Sequence, residues 1–153
     1  MLANSCVVAV MSLMLGSPLL AQRQDSDRLA TAKGLKCEFS QVAIGSWKGE
    51  TAQASVKPAA LRLAFSAINP DEGTAQSVGE FGRLDVVATL SAEGLHILQS
   101  FRGGPLYVTT VFNRETRPGK FKAVHTRHEY NGATVPGFET SPEQYYGECE
   151  VER

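Results

Sequence analysis

The densest run of chemically capable side chains is His125-Thr126-Arg127-His128-Glu129-Tyr130. Two imidazoles, a guanidinium and a carboxylate so close together are the groups of acid–base and metal chemistry. On an extended chain, residues 125, 127 and 129 share one face and residues 126, 128 and 130 the other. The two histidines therefore point apart and can meet one ion only across a bulge. The run is not an HExxH motif, since Gly132 stands where the second histidine would fall, and the remaining histidine, His96, is far away in sequence. A zinc site needs three or four ligands, so no metal is expected. His125, Arg127 and Glu129 share a face and form a hydrolase-like alternative. The competing reading is structural, with Arg127 bridging carboxylates of the last strand. The chain has no GxSxG, GxGxxG or P-loop sequence. No catalytic residue is assigned and no cofactor is expected.

These side chains must be positioned by a chain of 153 residues, room for one domain. Hydrophobic residues make up 42% and charged residues 20%, the composition of a folded chain rather than a disordered one. A net charge of -1 excludes a bulk pull toward nucleic acid or anionic lipid. Residues 1–21 carry no charged side chain, and their apolar stretch from Cys6 to Leu15 meets Gly16, Ser17 and Pro18. That stretch is shorter than the ~20 residues of a spanning helix, and Leu19-Leu20-Ala21 suits a cleavage site. Residues 1–21 are therefore read as a signal peptide, which places the protein in the periplasm or outside the cell. Residues 22–34 read as a flexible polar leader with room for one helical turn. Residues 35–153 form the single domain.

Removing the signal leaves Cys37 and Cys149 of the three cysteines. An even pair in an exported chain predicts a disulfide, here one joining the first strand to the last. In between, apolar and polar residues alternate and are cut by turn residues, the pattern of strands. Leu61, Leu63 and Phe65 oppose Arg62 and Ser66; Val86 and Ala88 oppose Asp85, Val87 and Thr89. Strands are expected near 36–44, 50–56, 60–68, 75–80, 83–91, 94–101, 105–113, 120–130 and 145–151. The fold class is all-β: an antiparallel meander of eight or nine strands forming a small closed or partly open barrel, with a two-sheet sandwich as the alternative. Basic residues Arg102, Arg114, Arg117, Lys120, Lys122 and Arg127 precede acidic residues Glu129, Glu139, Glu143, Glu148, Glu150 and Glu152. Such a division suits cross-strand ion pairing better than a patch for an acidic partner.

Gly45-Ser46-Trp47, after the first strand, matches a Gly-x-Trp triplet, and with the export signal and hairpin ladder the chain resembles small lipocalin-like, or calycin-like, proteins. The phrases TTVF, AVHTRHEY and SPEQYYGEC look like the marks of a small exported bacterial family. The lipocalin resemblance implies a cup for a small apolar or amphipathic ligand. The ligand-facing candidates are Trp47, Phe65, Leu90, Phe101, Phe112, His125 and Arg127, with the loop 131–144, carrying Pro136 and Phe138, as a lid. The leading expectation is thus a non-enzymatic ligand binder. Its rival is an envelope protein-interaction or inhibitor module working through its outer surface. A filled interior would favour the rival, because nothing could enter.

Overall fold

The computed structural model describes residues 28–80, 82–129 and 141–152. The signal at 1–21 and most of the proposed lid, including Pro136 and Phe138, lie outside the described residues. Eight strands follow in chain order: β1 (Leu35–Lys48), β2 (Thr51–Asn69), β3 (Thr74–Gly79), β4 (Gly82–Leu90), β5 (Gly94–Ser100), β6 (Leu106–Arg117), β7 (Lys120–His128) and β8 (Glu143–Val151). Every strand pairs antiparallel with its chain neighbours, and β8 returns to pair with β1, so the hydrogen bonds run in a ring.

The ring corrects the expectation of a small closed or partly open barrel, and of its alternative, the two-sheet sandwich. A single ring replaces two facing sheets, but it does not close evenly. The β1–β2 ladder runs from Leu35↔Phe65 to Lys48↔Thr51. The β2–β3 ladder spans only Ala64↔Val78 to Asn69↔Thr74, and β4–β5 only Val87↔Leu98 to Leu90↔Leu95. The first hairpin therefore projects far past its neighbours. Two strands expected at 50–56 and 60–68 are one continuous β2. Pro58 lies within this strand, opposite Gln41, in an edge segment where no ladder bond is lost.

Alternation builds the interior. Leu35, Cys37 and Phe39 of β1, Phe65 of β2, Val86 and Ala88 of β4, Leu95 and Ile97 of β5, Val111 of β6, Phe121 and Ala123 of β7 and Cys149 of β8 make one buried cluster. Cys37 and Cys149 lie directly opposite in the β1–β8 register and form the expected disulfide. Closing so long a loop is worth about 4 to 5 kcal/mol in the chain-entropy account. Residues 28–34, part of the segment read as a leader, plug one end of the ring. Leu29 and Ala32 are buried there. Arg28 lies 5.0 Å from the centre of the Phe121 ring and pairs with Glu115 at 2.5 Å. Backbone bonds from Ile68 to the Lys33 carbonyl and from Glu152 to the Gly34 carbonyl fasten the plug to β2 and β8. No helix among the described residues is long and apolar enough to cross a membrane.

Candidate functional site

The end of the ring opposite the plug holds the polar cluster that the sequence singles out. Extended geometry on β7 sends His125 inward and His128 outward: His125 is buried and His128 exposed. Thr109, directly opposite His125 on β6, meets the imidazole Nδ1 at 2.8 Å. Arg127 Nε donates to His125 Nε2 at 3.4 Å. An imidazole that accepts at Nε2 carries its proton on Nδ1 and donates it to Thr109 Oγ1. Burial, helped by the Arg127 charge, lowers the His125 pKa from 6.5 to about 4. The ring is a neutral structural partner at ordinary pH.

Arg127 is held between two aromatic faces, 5.4 Å from the Tyr107 ring centre and 5.1 Å from that of Tyr145. Glu143, its register partner on β8, lies 3.8 Å away. Tyr145 donates to the same Glu143 at 2.6 Å, and Tyr107 donates to Glu129. Burial and the Glu143 hydrogen bond push the Tyr145 pKa up. Each charged group here is occupied by another group of the cluster. His125 and Glu129, two members of the hydrolase-like trio, have different partners: Thr109 and Arg127 for the imidazole, Tyr107 for the carboxylate. Among the described residues no three His, Cys, Asp or Glu side chains gather as metal ligands would.

A cleft of about 160 Å³ opens beside this cluster, lined by Leu63, Phe65, Ser77, Ile97, Gln99, Phe101, Tyr107, Thr109, His125 and Arg127. Four of the sequence candidates, Phe65, Phe101, His125 and Arg127, come together in it. The other three do not line it. Phe112 borders a separate depression with Glu93 and Lys122. Leu90 is at the end of β4 and exposed, and Trp47 is on the projecting hairpin and 55% exposed. Ligand pockets commonly measure ~300–1,000 Å³. The cleft is small by that standard, and the interior beyond it is filled by Phe39, Leu95, Ile97, Val111 and Phe121.

The second candidate surface is the hairpin itself. Beyond Glu143 of β8 and Val78 of β3, β1 and β2 pair only with each other among the described strands. A bulge between Phe39 and Gln41 shifts the alternation of β1, so that Val42 rather than Gln41 is buried. Thereafter Val42, Ile44, Ser46 and Lys48 share a face with Lys57, Ser55, Gln53 and Thr51. Ala43, Gly45 and Trp47 share the opposite, outer face with Val56, Ala54 and Ala52. The outer face is the apolar one, and Val56 is 70% exposed there. Val42 and Ile44 keep the inner face apolar next to the ring, but toward the tip that face carries Ser46, Lys48, Gln53 and Ser55, the reverse of the ring's own pattern. Sequence reasoning found Trp47 but turned it inward; the lost signal is the bulge, which flips every later side chain.

Comparison with protein families, curated proteins and solved structures gives no match for this chain.

Proposed function

We propose that this chain is an exported, non-catalytic protein-interaction module whose contact surface is the outer face of the β1–β2 hairpin. The observation that carries this reading is the pairing of a filled interior with Trp47 and Val56 exposed on one apolar stripe outside. Exposed apolar patches mark contact sites, and Trp is enriched among the anchor residues of interfaces. The Gly45–Trp47 pair behind the lipocalin resemblance lies on this hairpin, away from the interior. The apolar, cleavable-looking start at 1–21 and the buried disulfide support an oxidising compartment outside the cytoplasm.

The test is site-specific photocrosslinking of the full chain in its own cells. A benzophenone side chain at Val56 should give one discrete heavier adduct, lost when Trp47→Asp is added. The same group at Val87, exposed on the outside of β4, should give none. A stoichiometric small molecule in native mass spectra, without a Val56 adduct, would return the chain to the ligand-binding reading.

A further inference from the structure

We infer that the hairpin captures its partner by strand addition at the open edge of β2, and that the partner supplies an extended segment alternating apolar and acidic residues. The inference rests on the interaction reading above and deepens it.

The direction of the backbone groups follows from one hydrogen bond. Gly45 donates its amide to the Pro142 carbonyl at 2.9 Å, on the β8 side of β1. In an antiparallel ladder successive residues turn their N–H and C=O to opposite sides. The backbone groups of Ile44 and Ser46 therefore face β2 and meet Ser55 and Gln53, their register partners. Ala52, Ala54 and Val56 must then turn theirs the other way. No described strand pairs with β2 on that side between Thr51 and Leu63, because β3 begins its pairing at Ala64. Pro58 belongs to the same outward set, so its missing N–H faces solvent, where a proline is tolerated. The result is a row of three outward amides and four outward carbonyls, ending at a proline. An open row of this kind is a template for a further strand.

The two faces of the hairpin define what the added strand must carry. Its side chains level with Ala54, Val56 and Trp47 meet an apolar surface. Those on the opposite face lie level with Lys48 and Lys57, neither of which is ion-paired among the described residues. Lys36 and Lys120, by contrast, are answered by Glu152 and Glu150 within the fold. Carboxylates on the second face of the partner complete the match.

The probe is the blocked peptide Val-Glu-Val-Glu-Val-Glu-Val, read through Trp47, the only tryptophan in the chain. It should shift the Trp47 emission and bind the full chain saturably. Ala54→Pro removes one outward amide and touches no β1–β2 bond, so it should weaken binding at least ten-fold while the disulfide and circular dichroism are kept. Ala54→Ser should stay within two-fold of the parent. A peptide N-methylated at alternate residues needs no protein variant and should bind at least ten-fold more weakly in one of its two registers. Equal binding of Ala54→Pro and of both methylated peptides overturns strand addition, as does a Val56 adduct in cells with no peptide binding at all; both leave the interaction reading standing. A dimer of the parent that Ala54→Pro makes monomeric overturns the foreign partner and names a second copy as the occupant. Absence of both adduct and peptide binding removes the two readings together.

Discussion

His125 shows how a reactive residue type becomes a structural one. Its imidazole is buried, bonded at both nitrogens and kept neutral by burial and the Arg127 charge, with a pKa of about 4. In the unfolded chain the same imidazole titrates near 6.5. Between these values the unfolded state binds more protons than the folded one. Stability is complete above pH 6.5 and falls as the pH drops toward 4, by an amount on the order of 3 kcal/mol. His125→Gln preserves a donor for Thr109 and removes the titration. Urea melts from pH 7 to pH 4 should show a steeper acid loss in the parent than in the variant. An equal slope in both would mean that His125 titrates normally in the folded protein.

At the scale of the element, strand existence was legible from alternation, and so were most turns. Ala92-Glu93-Gly94 between β4 and β5 is where the residues place it, and the bridge between Cys37 and Cys149 is the pairing that remains once residues 1–21 are read as a signal. The division of charge also read correctly: Lys120 faces Glu150 and Arg127 faces Glu143 in the β7–β8 register, while Arg117 of β6 reaches Glu148. What sequence could not show was where the alternation slips. Phe39 and Val42 are both inward, although their spacing is odd, because the β1 bulge lies between them. On β8, Gly147 lets β1 come close at that bulge: a Cβ there would stand 2.0 Å from the Glu38 carbonyl oxygen and 2.6 Å from the Phe39 Cα. These are backbone atoms and cannot swing aside. Gly147→Ala should therefore destabilise the fold by about 2 kcal/mol or more. Gly45→Ala, whose Cβ would meet only the Pro142 oxygen at 3.7 Å, should change stability little. Chemical denaturation of the pair of variants decides it; similar midpoints would mean that the β1–β8 approach is looser than described.

Across the whole molecule, the ring is a wall that must be closed at an end before it can enclose a core. The uneven ladders leave that work to residues 28–34. Leu29 is completely buried among the inward side chains, and Arg28 covers Phe121 from outside while pairing with Glu115. The segment reads as polar and aperiodic because only one of its residues is a large apolar anchor, and one anchor leaves no period to detect. Its contribution should nonetheless be that of a core residue. Leu29→Ala deletes a buried side chain and opens a cavity at the plug, at an expected cost of about 2–5 kcal/mol. Arg28→Ala removes a half-exposed ion pair and a cation–π contact, worth about 1 kcal/mol or less together if the pair behaves as surface pairs do. The two should also differ in where they act. Hydrogen exchange in Leu29→Ala should rise first at Ile68, Leu95 and Val151, whose strands end at the plug, and leave the far hairpin at Ser55 unchanged. A loss of protection spread evenly round the ring would show instead that closure is carried by the strands alone.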